Sequence, residues 1–239
     1  MDRKRNEEAA VLGFLIALGL VGLGWFAAKG IVSFRALDRT VTAKGLSERE
    51  VVADVAIWPV RLDLAGDDLE VLTTDLETKT ARVVAFLEAN GFKEDELSLG
   101  APAIIDRQAQ RYGGTQPGQL RYQAGRAVTV YSKDIEAVRT AMTKIAELGK
   151  QGVAVGGQDY DSRTQFLFTG LNDIKPAMIE EATRNAREVA EKFARDSESS
   201  LGKIKTARQG LFDIGDRDSN TPHIKKVRVV ATLEYYLND

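Results

Sequence analysis

The chain has 239 residues, with 33 Lys and Arg against 35 Asp and Glu and a formal net charge of -2, which argues against a bulk electrostatic nucleic-acid binder. It holds no cysteine and a single histidine, His223, so disulfide scaffolds, iron–sulfur clusters, cysteine nucleophiles and Cys/His zinc sites are excluded. A Ser-His-Asp triad would have to use His223.

Residues 9–28 (AAVLGFLIALGLVGLGWFAA) carry no charge. At ~1.5 Å rise per residue such a helix spans roughly 30 Å, the hydrocarbon thickness of a bilayer. Trp25 and Phe26 fall near its end, where interfacial aromatics sit. A secretory signal peptide has a shorter apolar stretch and a small-x-small cleavage site. The run here is longer, and no clean A-x-A lies between Phe26 and Thr40, so an uncleaved anchor is expected. Arg3, Lys4 and Arg5 are packed before it, whereas Lys29, Arg35 and Arg39 are spread after it. That arrangement favours a cytoplasmic tail over residues 1–8 and an exported body, and the absence of cysteine fits an exported bacterial protein, expected as a single-pass protein of the inner membrane with its main domain in the periplasm. Ala9, Gly13, Ala17, Gly24 and Ala28 recur at spacings of four and seven, which let helices approach closely in lipid. The plainer reading is that Gly and Ala are frequent in membrane helices.

Residues 29–40 form a charged connector, and 41–239 read as one domain. A strand covers 51–64, with Val60, Leu62 and Leu64 alternating with Arg61 and Asp63; Pro59 marks a bulge, an edge or a strand start. A helix follows over 68–90, capped by Asp67 with Glu70 three residues on, carrying the stripe Leu69, Leu72, Leu76, Val83, Val84 and Leu87, and stopped at Asn90-Gly91. Strands over 96–108 and 119–132 flank an exposed loop, 108–118. A helix over 134–148 is capped by Asp134 and ended by Gly149, and a strand covers 153–168. The longest soluble helix is 173–199, with Pro176 in its first turn. Its buried face is read as Met178, Ile179, Ala182, Ala186, Val189, Ala190, Phe193 and Ala194, so it should lie close against a sheet. Strands over 202–212 and 224–237 close the chain around a polar loop, 213–223. In the last strand Val227, Val229, Ala231, Leu233, Tyr235 and Leu237 share one face. Val230, Thr232, Glu234 and Tyr236 lie on the other, and an apolar valine there points to a side covered by a helix or facing another subunit. The element order implies an α+β fold, mainly antiparallel sheet with long packed helices, preceded by one N-terminal transmembrane helix.

Several segments resemble the SIMPL-domain family, most of whose members are exported bacterial proteins. Val41-Thr42-Ala43-Lys44-Gly45 is similar to its opening V-x-G strand, and Ala53-Asp54-Val55-Ala56 to its PD-x-A segment with Ala53 in place of proline. LEANGFKEDELSLG (87–100), RYQAGRAVTVYSKDIEAV (121–138), the Ala-rich stretch from Ala182 to Gly202 and VRVVATLEYYL (227–237) follow in the family's order, with Glu96 where Asp is usual. The resemblance implies an exported α+β domain, large ring- or channel-like homo-oligomers in some members, and a loose link to stress responses. It implies no active site.

No Walker A or G-x-G-x-x-G motif is present, and Gly113-Gly114 and Gly156-Gly157 read as turn glycines. Asp213, Asp216 and Asp218, with Asn220 nearby, have the oxygen ligands calcium takes but lack an EF-hand glycine and distant glutamate; a solvated loop is the plainer reading. His223 is expected at the surface. No catalytic residue, cofactor or metal is expected. The leading expectation is a non-enzymatic, membrane-anchored envelope protein that self-assembles into a symmetric ring- or channel-like homo-oligomer, with itself and the lipid bilayer as partners and no nucleic acid. The alternatives are a monomeric binding module recognising a partner protein or envelope component through 108–118 and 213–223, and a hydrolase with an unrecognised carboxylate pair.

Overall fold

The strand in which Val60, Leu62 and Leu64 alternate with Arg61 and Asp63 forms the middle of one sheet. The structure, a computed structural model, describes residues 2–36, 39–109, 118–156 and 163–238, and the side chains of 13–30 within the first helix. The elements are α1 (Asp2–Ala36), β1 (Thr40–Val52), β2 (Val55–Gly66), α2 (Leu69–Ala89), β3 (Leu97–Leu99), β4 (Ala103–Asp106), β5 (Tyr122–Ser132), α3 (Ile135–Lys144), α4 (Ala146–Lys150), β6 (Gln165–Leu167), α5 (Leu171–Asp196), β7 (Ser200–Gln209), β8 (Asp213–Asp216) and β9 (Ile224–Asn238). This is the expected α+β class, with antiparallel sheets and long helices. The first helix runs on to Ala36, so most of the expected connector 29–40 is helical. The chain divides into two units: Met1–Glu48 with Lys175–Phe212 and Arg228–Asp239, and Arg49–Ile174 with Asp213–Val227.

In the second of these units the sheet order is β3-β5-β2-β6, with β4 also on β5. The β2–β5 ladder runs antiparallel from Ala56 opposite Ser132 to Gly66 opposite Tyr122. Ala56, Trp58, Val60 and Leu62 share a core with Ala124, Val128 and Val130 of β5, with Leu72, Leu76, Val83, Phe86 and Leu87 of α2, and with Ile135, Val138 and Ala141 of α3. Pro59 lies between the β6 pairing at Val55–Ile57 and the single bridge Leu62–Val155, where that flank of β2 has no ladder among the described residues. A residue without an N–H is harmless there.

Several boundaries differ from expectation. The first long strand is split at Ala53-Asp54, with Val51 and Val52 closing β1. Asp68 caps α2 through Val71 N, while Asp67 accepts a bond from Arg121 N. Leu69 stays exposed, and Thr80 and Phe86 join the buried stripe. Gly91, at φ 97°, does end that helix region as read. The strand expected over 96–108 is broken into β3 and β4 around Pro102. Leu99 faces Val128 and Ala103 faces Gly125, so Gly100–Pro102 stand opposite Arg126 and Ala127, a bulge. The 134–148 helix is two, meeting at Ile145, and its end lies at Gly152 (φ 74°), beyond Gly149. Of the strand expected over 153–168, the described part holds only the Val155 bridge and β6.

The other sheet runs β1-β9-β7, with β8 also on β9. In the first unit α5 packs its alanines on this sheet: Ala186 and Ala190 form a core with Ala43 of β1 and with Leu233 and Tyr235 of β9. Met178, Ala182 and Ala194 are also buried, but Val189 and Phe193 are exposed at 37% and 54%. The reason is distance. A line of alanines lets the helix backbone sink onto the sheet, so larger flanking side chains are carried outward. Gly45 of β1 completes this: a Cβ there would stand 2.0 Å from the Ala182 carbonyl oxygen and 2.3 Å from the Ala186 nitrogen. Pro176 lies inside α5 rather than in its first turn, because the helix starts earlier, at Leu171.

Candidate functional site

The acidic loop is built as a rigid structural turn. Asp218 Oδ1 accepts the Asn220 and Thr221 backbone N–H groups, each at 2.8 Å, and Oδ2 accepts from the Thr221 hydroxyl and the Arg217 guanidinium. The Thr221 hydroxyl and then Arg217 hold its carboxyl far below the usual range. Arg217 also reaches Glu50 at 3.4 Å, and Asp216 is paired with Lys225. These carboxylates are turned to protein donors, and among the described residues no group of three or more His, Asp or Glu is placed to hold a metal ion.

His223 is half-buried rather than on the surface. Its ring meets Phe166 edge-on at 6.0 Å, its carbonyl accepts the Ala53 N–H, and burial followed by Arg139 lowers its pKa. Glu96 accepts from the Ser132 hydroxyl at 2.6 Å and from the Lys93 N–H, which lower its pKa. Asp54 receives the Thr169 N–H and hydroxyl and the Gly170 N–H, tying the turn into α5 to the start of β2. Each of these polar groups has a structural partner. The turn glycines Gly113, Gly114 and Gly157, and most of loop 108–118, lie outside the described residues. Gly156 donates to the Arg61 carbonyl beside β2.

The remaining candidates are surfaces. The window Gly13–Gly30 of α1 has a mean hydropathy of 1.6 and none of it is buried. Gly13 and Gly24 face open space, Ala17 and Ala28 lie in the same exposed stretch, and the Ala9 side chain is outside the described residues. On β9, Val230, Thr232, Glu234 and Tyr236 are each half-buried. Part of that cover comes from within the chain. Thr206 donates to Glu234 at 2.9 Å, Lys205 pairs with it at 3.3 Å, and Lys205 stands over the Tyr236 ring. The Thr206 and Thr40 hydroxyls lower the Glu234 pKa.

Between α5, β7 and β9 lies a cleft of about 190 Å³, with Ile179, Ala182, Val229, Ala231 and Leu233 on its walls. The sequence reading did not find it, because β7 reads as an ordinary strand and only the packing shows that α5 leaves its inner side open. The family comparison agrees with the motif order: residues 41–231 match SIMPL, described as a protein of unknown function (DUF541). The chain belongs to the SIMPL family. The SIMPL match runs from β1 into the first half of β9 and includes Gly45, Asp54, Glu96 and the walls of the cleft except Leu233. No curated protein matches the chain.

Proposed function

We propose that this SIMPL protein is a non-enzymatic component of a bacterial envelope, held in the inner membrane by α1, with its N-terminus cytoplasmic and its SIMPL domain periplasmic, and assembled into a symmetric homo-oligomer. The observation that carries this reading is the fully exposed apolar window of α1. No described part of the chain covers Gly13–Gly30, so on this reading its burial comes from lipid or from other copies of the helix. The half-buried outer face of β9 supports an assembled state, since an apolar residue such as Val230 gains from a covering partner.

The test is the full-length protein extracted in mild detergent. N-terminal sequencing should return an intact α1, alkaline carbonate should leave the protein with the membrane, and native mass measurement should give a single multiple of the chain mass. Mature protein starting after Ala28 would overturn the anchor. A monomer at micromolar concentration would overturn assembly and favour the partner-binding alternative.

A further inference from the structure

The hand-over from α1 to the sheet fixes which end of the SIMPL domain lies nearest the anchor. Ile31, Val32 and Phe34 carry uncharged sequence on from Lys29 to Arg35, and α1 ends at Ala36. A link of three residues, about 10 Å at full stretch, then leads to Thr40 of β1. The last of the three, Arg39, is fastened twice. Its carbonyl accepts the Leu237 N–H at 2.9 Å, and its guanidinium donates to the Ser199 hydroxyl at 3.1 Å. Ser199 closes α5, with its N–H on the Ala194 carbonyl at 2.8 Å. The last turn of α5 is therefore tied to the residue that leads out of the anchor.

Phe193 stands on that turn, 54% exposed, with Val189 one turn back at 37%. Its backbone is fixed: the Phe193 carbonyl accepts the Ser197 hydroxyl at 2.9 Å and the Ser197 N–H at 3.1 Å. A single exposed ring is ordinary on most surfaces. This one belongs to the part of the domain that the short link holds beside the end of α1. We infer that Phe193 enters the interfacial layer of the same bilayer that holds α1. The inference rests on the anchored reading and adds the face that the domain turns to lipid. The occupant is lipid because the link leaves α5 no distant position, and the layer beside a spanning helix is where aromatic rings settle, about 5–10 Å into the headgroup and acyl boundary. Exposed Lys192 and Arg195 flank the ring, and Asp196 and Glu198 offset their charge. The contact therefore depends on the ring and does not require anionic lipid. Leu211 gives the contrast. It is 95% exposed, but β7 carries the chain about 30 Å from Ser200 before reaching it.

The test is indole fluorescence of the full-length protein in phosphatidylcholine vesicles, part of whose lipid carries a nitroxide near the head of its acyl chain. The chain has two tryptophans; Trp58 is buried and stays as a constant background, and Trp25→Phe removes the one in the anchor. On that background the Phe193→Trp chain should lose its added fluorescence to the nitroxide, the Val189→Trp chain should lose less, and the Leu211→Trp chain should lose none. Iodide on both sides of the bilayer should quench Leu211→Trp and spare Phe193→Trp. If iodide quenches Phe193→Trp and the nitroxide does not, while alkaline carbonate leaves the protein in the vesicles, the inference fails and the anchor stands. An indole at this position shielded from both quenchers also defeats it, and assigns Phe193 to a contact between chains. Protein that carbonate strips from the vesicles removes the anchor and this contact with it.

Discussion

The carbonyl oxygen of Ala182 and the Cα of Gly45 leave no room for a side chain between them: a Cβ on Gly45 would stand 2.0 Å from that oxygen. Both neighbours are helix backbone, which cannot swing aside as a flexible side chain would. Gly45→Ala should therefore push α5 off the sheet and cost at least the ~1–3 kcal/mol of an overpacked core. The check is the denaturant midpoint. A loss under about 0.5 kcal/mol would show that helix and strand are less tightly seated than described.

Glu198 supplies a prediction of opposite sign. It closes α5 at φ 54°, with Ser199 N bonded to the Ala194 carbonyl. An L side chain in that conformation costs about 1–2 kcal/mol, which glycine avoids at some expense in unfolded-state entropy. Glu198→Gly should stabilise the protein by about 0.5–1 kcal/mol, read as a raised melting temperature.

Asp54 holds two backbone donors and one hydroxyl at the turn into α5. Asp54→Ala leaves them without their acceptor and should destabilise by about 1–3 kcal/mol. Hydrogen exchange at Thr169 and Gly170 should speed up before the β2–β5 ladder is affected. Exchange that rises uniformly over both would show the carboxylate to have no local role.

Two titrations bear on acid stability. Glu96 has a lowered pKa, so its contribution is present above the unfolded value of 4.5 and is lost as pH falls through the folded one. Glu96→Gln should flatten the acid side of the stability profile below that value. His223 is a base with a lowered pKa, so the unfolded chain takes up its proton first, and stability falls as pH drops below 6.5. The protein has one imidazole. Its NMR shift should titrate below 6.5, and a midpoint above that value would reverse the sign.

The features legible in the sequence were those set by local periodicity. The alternation in β9 puts Val227, Val229, Ala231, Leu233, Tyr235 and Leu237 on one face; the first five are buried, and Leu237, near the strand end, is half-buried. The alanines of α5 also read correctly, whereas Val189 and Phe193 did not, since hydrophobicity along a helix does not report how deeply it sinks. β3, β4 and β6 were misjudged because their lengths are set by partners: β5 and the Pro102 bulge for the first two, Val55–Ile57 for the third. A glycine inside a strand signals a close approach of another backbone. Gly45 carried that signal, but the sequence reading used it only as part of a motif. The cleft had no local signature, since it is set by how α5 packs against β7 and β9.

The passage from α1 into the sheet has a mechanical consequence. Only three residues separate Ala36 from Thr40, and the last of them, Arg39, accepts the Leu237 N–H through its carbonyl at 2.9 Å. Three residues extend to about 10 Å at most, so there is little slack. Tension on α1 enters the sheet at Arg39, so its carbonyl bond to the Leu237 N–H, next to the start of β1, is loaded before the pairing of β1 with β9 behind it.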